Sequence, residues 1–207
     1  MTDVPATPVA PLPPLVIVLT GPSGVGKDAL INRLEEHGVP VERPATMTTR
    51  APRAGEQEGV HHFFVDRETF LQNLAAGELL EHAEVYGNLY GVPRKSVRQA
   101  LASGRHVIIR VDVQGAESLH RLHLGALFLS LEPETLDALR FHLEGRGSET
   151  EAQIERRLAV AREEIARARV FCEPVKNIEC DLDGTVQCVR DLVEREQRRP
   201  DRVPVSI

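Results

Sequence analysis

The chain has 207 residues, 42% of them hydrophobic, and a formal net charge of −6, which suits one α/β domain with small inserts and argues against a nucleic-acid-binding surface. No run is long and apolar enough to span a membrane, and the three cysteines are odd in number and fit no zinc pattern. Because the sequence shows no secretory signal, we expect a cytoplasmic protein with reduced cysteines, and neither nucleic acid nor a membrane as a partner.

Strand-like and helix-like segments alternate along the chain, and this alternation predicts an α/β fold with a parallel sheet covered by helices. Predicted strands occupy 15–20, 62–65, 79–85, 87–90, 106–113, 127–131 and 175–180. Predicted helices occupy 27–36, 67–76, 93–103, 133–144, 149–168 and 185–197. The Pro-rich residues 1–14 and the polar residues 199–207 are expected to be flexible tails of one domain over 15–198.

A glycine-rich segment, GPSGVGKD at 21–28, connects the first predicted strand to the first predicted helix. This arrangement binds nucleotide phosphates, because glycines let backbone N–H groups surround the anionic oxygens and the helix N-terminus adds a favourable dipole. Lys27 is expected to reach the β- and γ-phosphates. We therefore predict an ATP site. Its phosphate-binding residues are predicted to be Gly21, Ser23, Gly24, Val25, Gly26, Lys27, Asp28 and Ala29.

Four further segments carry clustered charged and aromatic residues. They read TTRAPRAGE at 48–56, ELLE at 78–81 with YGNLYG at 86–91, RVDVQG at 110–115, and LEGRG at 143–147 with IERRL at 154–158. In this order and with these spacings, nearly the whole chain resembles the guanylate kinase family. The resemblance implies a P-loop nucleoside-monophosphate-kinase fold with a parallel core sheet, an acceptor-binding insert at about 45–94 and a lid at about 142–160. It also implies phosphoryl transfer from ATP, with Mg²⁺, to GMP and dGMP.

The resemblance also assigns roles to individual residues. The catalytic set is Lys27, Arg50, Arg146 and Arg157, the last two from the lid. The acceptor-binding set is Arg50, Arg53, His62, Glu81, Tyr90 and Asp112. Glu81 and Asp112 would accept hydrogen bonds from the guanine N1–H and amino group, which adenine does not present on that edge. Each assignment has a structural alternative: the arginines could form surface ion pairs, Asp112 could end a strand, and Tyr90 or His62 could serve packing.

Two departures from the family pattern concern charge beside the phosphate loop. Asp28 replaces the Ser or Thr whose hydroxyl usually binds Mg²⁺, and Arg110 stands where the family commonly carries an acid. Asp28 could ligate Mg²⁺ directly or through water, because a carboxylate is a hard oxygen donor. Alternatively, Asp28 could pair with Arg110 and leave metal binding weak. Of the two, we take Asp28 as the Mg²⁺ ligand.

Other departures fall in the acceptor site and the lid. Met47 and Val92 replace hydroxyl residues that help to bind the base, and neither can donate a hydrogen bond. Each lost donor costs about 1–3 kcal/mol, so we expect weaker GMP binding or relaxed specificity. His62 stands in place of a tyrosine and could still donate to a phosphate oxygen, and His142 replaces a lid arginine.

Two other functions remain open from the sequence. Ribose 1,5-bisphosphate phosphokinases resemble guanylate kinases and carry the same GPSGxGKD loop, although Arg53, Glu81 and the VDVQG segment favour a nucleotide monophosphate site. A non-catalytic guanylate-kinase-like binding module is the other possibility. The intact loop glycines and Lys27 argue against it.

Overall fold

Two β-sheets organise the part of the chain that the structure, a computed structural model, describes: residues 12–85, 87–145 and 150–207. The strands are β1 (Val16–Thr20), β2 (Val41–Glu42), β3 (Thr46–Thr48), β4 (His62–Phe64), β5 (Leu79–Val85), β6 (Asn88–Pro93), β7 (His106–Arg110), β8 (Leu127–Pro133) and β9 (Glu173–Asn177). The helices are α1 (Lys27–Glu36), α2 (Arg67–Ala75), α3 (Arg94–Ala102), α4 (Val113–His120), α5 (Leu136–Glu144), α6 (Glu151–Ala168) and α7 (Leu182–Gln197).

The larger sheet has the order β2-β7-β1-β8-β9, and its strand pairs are all parallel. Apolar residues fill both faces of β1, as a sheet covered on both sides requires. Ile17 and Leu19 pack with residues of α1 and α7, and Val16 and Val18 pack with residues of α3 and α4. The predicted α/β fold with a parallel core sheet is therefore confirmed.

The smaller sheet has the order β4-β3-β6-β5 and encloses its own apolar cluster. Met47, Phe70, Leu79 and Leu89 form that cluster, with Phe70 contributed by α2. The sheet and α2 lie within the segment expected to form the acceptor-binding insert. Val92, at the end of β6, instead packs in the cluster that joins α3 and α4 to the large sheet.

A helix follows β7 where the sequence predicts a continued strand to residue 113. β7 ends at Arg110, and Asp112 becomes the N-cap of α4 by accepting a 2.8 Å hydrogen bond from the Gly115 N–H. A carboxylate at this position satisfies an N–H that the helix leaves free. The sequence analysis also missed β2 and β3, which are only two and three residues long.

The C-terminal residues pack on the domain, in contrast to the flexible tail expected over 199–207. Val205 and Ile207 lie against the cluster of α3 and α4, and the Ser206 N–H donates to the Leu124 carbonyl at 3.1 Å. Residues 1–11 of the expected N-terminal tail lie outside the described residues. Within the described ranges, none of the helices has the length and apolar character needed to cross a membrane.

Glu132 on β8 is fully buried and forms ion pairs with two basic residues. Arg169 binds it through two hydrogen bonds of 2.8 and 2.6 Å, and the Lys176 ammonium lies 3.0 Å from Oε2. Burial alone would raise the pKa of Glu132, but these hydrogen bonds and charges outweigh it and lower the pKa. These two ion pairs link β8 to Lys176 of β9 and to Arg169, the residue after α6.

We expect Glu132→Gln to lower the free energy of unfolding by about 1–3 kcal/mol, because two cations lose a charged partner inside the fold. Urea denaturation at pH 7 measures this change, with Glu173→Gln, an exposed β9 residue paired with Arg195, as the matched control. The carboxylate stabilises fully above the ordinary glutamate pKa of 4.5, and this contribution disappears as the pH falls through the lower folded pKa. The difference between the variant and the parent should therefore shrink in acid. Equal stability at pH 7 would contradict the prediction.

Candidate active site

The glycine-rich loop adopts a backbone that only glycine accommodates easily. Gly21, Gly24 and Gly26 have φ values of +139°, +89° and +96°. A Cβ on Gly21 would overlap the Leu131 carbonyl of β8, so the loop rests directly on the neighbouring strand. Gly26 caps α1 without a side-chain hydrogen bond, which leaves the N–H groups of the first turn available to an anion.

Lys27 folds back over the loop. Its ammonium donates hydrogen bonds of 2.5 and 3.0 Å to the Gly21 and Pro22 carbonyls. Burial, followed by the positive charge of Arg110, lowers the pKa of Lys27 to about 8, while nearby carboxylates act in the opposite direction. These carboxylates are Glu164, Asp28 and Asp112. A phosphate at this position would stabilise the ammonium form.

Asp28, in the first turn of α1, faces two arginines. Its Oδ2 accepts a 2.9 Å hydrogen bond from Arg110 Nη1, and its Oδ1 lies 3.6 Å from Arg43 Nη1. Arg110 ends β7, and Arg43 follows β2, the next strand outward. The contact with Arg110 is the pairing that the sequence analysis kept as an alternative to Mg²⁺ binding.

The other side of the loop is held by the end of β9. The Asn177 side chain donates a 2.9 Å hydrogen bond to the Val25 carbonyl and accepts one from Thr185 at 3.3 Å. Two residues further on, Glu179 pairs with His142 of α5 at 3.2 Å. α5 and the residues after β9 are thus joined by this contact.

Arg50 and Tyr90 meet on the smaller sheet. Arg50 Nε donates a 3.1 Å hydrogen bond to the Tyr90 hydroxyl, while its two terminal nitrogens bind Glu56 at 2.9 and 2.8 Å. The Arg53 backbone N–H also donates to Glu56, at 2.7 Å, and its side chain is exposed. Hydrogen bonds from Arg50 and then from Arg53 lower the pKa of Glu56 to about 2. The sequence analysis assigned no role to Glu56, although it closes the TTRAPRAGE segment.

His62 completes this cluster. Its Nδ1 lies 2.6 Å from the Thr46 hydroxyl, and its Nε2 lies 3.8 Å from Glu56. Burial lowers the pKa of His62, so the ring is neutral near pH 7 in the free protein. The structure therefore brings Arg50 and His62 to the Glu56 carboxylate, with Tyr90 bound to Arg50.

Glu81 and Asp112 join the small sheet to the core. A Cβ on Gly115 would lie 3.1 Å from Glu81 Oε1, so the Glu81 carboxyl group lies against the first turn of α4, which Asp112 caps. Burial and then the charge of Asp112 raise the pKa of Glu81 to about 7. The two predicted base-reading carboxylates are thus near neighbours, Glu81 on β5 of the small sheet and Asp112 at the N-terminus of α4, just after β7 of the large sheet.

Of the two arginines predicted to belong to a lid, the structure describes one. Arg157 lies on α6 and is partly exposed, whereas Arg146 lies outside the described residues. Sequence reasoning missed Glu164, also on α6, whose charge acts on Lys27 and whose pKa is raised by burial. α6 contains many Glu and Arg residues, so its sequence gave no signal to separate Glu164 from the others.

Comparison with known proteins agrees with this geometry. The sequence model of the guanylate kinase family matches residues 14–196. The chain belongs to the guanylate kinase family. It is 40% identical over 203 residues to guanylate kinase 2, chloroplastic/mitochondrial, of Oryza sativa subsp. japonica, covering 97% of this chain and 71% of that relative. It is 45% identical over 190 residues to the guanylate kinase of Lactobacillus delbrueckii subsp. bulgaricus, covering 91% and 92%.

A solved structure gives the same result. The crystal structure of guanylate kinase from Anaplasma phagocytophilum superposes with a TM-score of 0.67 at 30% identity, covering 93% of this chain and 90% of that chain. The family, the P-loop kinase fold and the enzyme class predicted from the sequence are therefore confirmed.

We expect Gly21→Ala to lower the free energy of unfolding by at least about 2 kcal/mol and to abolish measurable ATP binding, because the new methyl group meets the Leu131 carbonyl and the φ angle is strained. Gly38→Ala is the matched control: its φ is +73°, and a Cβ there would meet no atom within 4 Å. That variant should lose about 1 kcal/mol and bind ATP normally. Calorimetric titration and thermal melting measure both effects, and equal ATP affinity in the two variants would refute the expectation.

Proposed function

We propose that the chain transfers the γ-phosphoryl group of ATP to GMP through the site residues described above. The observation that carries this proposal is the placement of Glu81 beside Asp112. This placement brings Glu81 of the small sheet, predicted to bind the base, close to the large sheet. The glycine loop that follows β1 of the large sheet suits a triphosphate. An acceptor held by Arg50 and the two carboxylates would face the loop across the carboxyl edge of the large sheet.

Phosphoryl transfer needs positioning and charge neutralisation more than covalent chemistry. Lys27 and the loop N–H groups would hold the ATP phosphates. Arg50, Arg53 and Tyr90 would hold the acceptor phosphate, which takes the place of Glu56 on the Arg50 guanidinium. One GMP phosphate oxygen then bonds to the γ-phosphorus as the bond to the β,γ-bridging oxygen breaks, giving GDP and ADP.

The lid and His62 have supporting roles in this proposal. Arg146 and Arg157 would close over the transferred group and exclude water from the reaction. His62 would donate to an acceptor phosphate oxygen, for which its position beside the Arg50 cluster is suited.

Guanine recognition would depend on the two carboxylates. Glu81 and Asp112 accept from donors that guanine presents and adenine lacks. Met47 is buried in the small-sheet cluster and Val92 in the core, so the hydroxyl groups expected there are replaced by packing. Specificity for guanine would therefore rest on fewer hydrogen bonds.

Mg²⁺ is the metal expected with ATP, and the described residues provide few ligands for it. Within the described ranges, no three His, Cys, Asp or Glu residues cluster in a way that could hold a metal ion. Both oxygens of Asp28, the predicted ligand, face arginines, and this surrounding charge disfavours a cation. Mg²⁺ would therefore be held chiefly by the ATP phosphates and water, and would neutralise phosphate charge when bound.

The test of this function is ADP formation from ATP and Mg²⁺ with a panel of acceptors: GMP, dGMP, AMP, UMP, CMP and ribose 1,5-bisphosphate. We expect GMP and dGMP to give the highest kcat/KM, with AMP about 100-fold lower because two charge-assisted hydrogen bonds are lost. A reaction without acceptor is the control for ATP hydrolysis. Highest turnover with the sugar bisphosphate, or no turnover with any acceptor, would refute the proposal.

The raised pKa of Glu81 predicts a pH-dependent affinity for GMP. A carboxylate accepts the guanine hydrogens with two charged oxygens, whereas a carboxylic acid keeps one neutral carbonyl acceptor and presents a donor on the other oxygen, so binding weakens as the pH falls below about 7. We expect the KM for GMP to rise about tenfold between pH 8 and pH 6. Glu81→Gln should bind GMP weakly at both values and flatten this dependence.

Glu84→Gln is the matched control for that experiment, because Glu84 is exposed on the same strand and pairs with Arg67 at 3.7 Å. The GMP phosphate also titrates near pH 6, but it does so equally in all three proteins. The Glu81 contribution is therefore the difference in slope between the parent and Glu81→Gln. Parallel slopes would remove Glu81 from base recognition.

A further inference from the structure

Arg110 is a charged residue of the site to which the proposed mechanism gives no task. It ends β7, which pairs directly with β1, the strand that leads into the glycine loop. Its Nη1 donates to Asp28 at 2.9 Å. The guanidinium has five N–H donors in a planar fork, so this hydrogen bond leaves donors for a second anion. About half of the side chain is exposed, so a ligand can reach it.

The charges around Asp28 favour an anion rather than a metal cation. Both oxygens of the Asp28 carboxylate face arginines, Arg110 at 2.9 Å and Arg43 at 3.6 Å. The other carboxylates of the cluster act on its outer cations, Glu35 on Arg43 and Asp112 and Glu164 on Lys27. A divalent cation at Asp28 would be repelled by both arginines and would have to displace them from the carboxylate oxygens. A phosphate would gain from the same charges.

The two arginines differ in their place relative to the glycine loop. Arg110 lies opposite Leu19 of β1, two residues before Gly21, whereas Arg43 follows β2, one strand further from β1. In agreement with this placement, the charge of Arg110 contributes to the lowered pKa of Lys27. Arg43 instead lies along α1, 3.9 Å from Glu35. Arg110 therefore lies at the phosphate site, and Arg43 lies behind it.

The strand order shows which end of the triphosphate Arg110 would meet. Asn177 holds the loop from the β9 side, whereas Asp112, two residues after Arg110, lies beside Glu81 in the acceptor site. The transferred phosphoryl group must lie at the end of ATP that faces the acceptor. Arg110 is on that side of the loop.

We propose that Arg110 binds the terminal phosphate of ATP and that Asp28 is its positioning residue rather than a Mg²⁺ ligand. This inference rests on the proposed function, because it assigns a contact within the same ATP site. It replaces the sequence-based assignment of Asp28 to the metal. Its consequence is that part of the affinity for a triphosphate is independent of Mg²⁺.

Binding without catalysis tests Arg110. The affinities of ADP and of β,γ-imido-ATP are measured by calorimetric titration, once in EDTA and once in about 5 mM Mg²⁺, which is in excess over the nucleotide. Arg110→Ala should weaken β,γ-imido-ATP at least tenfold in EDTA and change ADP by twofold or less. Arg110→Lys should recover part of the loss, because it restores the charge without the fork. Arg43→Ala, which removes the other arginine from Asp28, should stay within twofold for both ligands.

Asp28→Asn tests the positioning role. We expect it to weaken β,γ-imido-ATP three- to tenfold and to leave unchanged the Mg²⁺ concentration that gives half of the metal-dependent gain in affinity. In the Arg110→Ala background it should have no further effect, since the group it positions is gone. A metal ligand would behave differently: Asp28→Asn would raise the Mg²⁺ requirement tenfold or more, with or without Arg110.

Two results would overturn the inference: equal losses for ADP and β,γ-imido-ATP in Arg110→Ala, or a raised Mg²⁺ requirement in Asp28→Asn. Unchanged ADP binding shows in each variant that the loop has folded. None of these titrations contains GMP. A parent protein that fails to phosphorylate GMP would therefore refute the proposed function, while the contact of Arg110 with the triphosphate would still be decided by the titrations.

Discussion

The parallel pairing of β1 with β7 and β8 is the constraint on which the site depends. Because all strands of the large sheet run in one direction, their carboxyl ends meet at one edge. Lys27 follows β1, Arg110 ends β7, and Asn177 ends β9. The contact of Gly21 with the Leu131 carbonyl fixes the loop against this edge. The pairing of β1 with β7 and β8 thus brings together residues that are far apart in the sequence. A side chain larger than that of Gly21 would disturb this arrangement.

Two arginines of the site are paired with internal carboxylates. Glu56 occupies Arg50, and Asp28 occupies Arg110. Each pair holds a guanidinium in place before a phosphate arrives, which reduces the entropy lost on binding. The phosphate must then compete with the carboxylate, so affinity is the difference between two charge-assisted interactions. Because the hydrogen bond from Arg50 lowers the pKa of Glu56 to about 2, this carboxylate stays charged across the physiological pH range.

Local sequence signals predicted the helix after the glycine loop and one strand of the small sheet. The bounds of α1 and β5 agree with the predicted ones, because glycine spacing and apolar patterning mark both. The predicted strand from 106 to 113 was wrong at its end, where Asp112 begins a helix. Asp112 could be read as a strand end or as a base-reading carboxylate, but not as the cap that starts α4. The C-terminal packing of Val205 and Ile207 depends on tertiary contacts that no local pattern reports.

Residues 28 and 110 show a choice that the sequence left open, since it offered Asp28 both as a Mg²⁺ ligand and as the partner of Arg110. Taken singly, Asp28 in place of a hydroxyl residue suggests a metal ligand, and Arg110 in place of an acid suggests that a carboxylate has been lost. Their 2.9 Å contact makes them a single change, since a carboxylate on the loop is balanced by a cation on the adjacent strand. Relative to the pattern of a hydroxyl and an acid, this pair leaves the edge of the sheet one positive charge richer beside Lys27. A site whose ligands are polyphosphates gains from that excess, because the added charge is fixed in the fold and attracts every phosphate that approaches the edge.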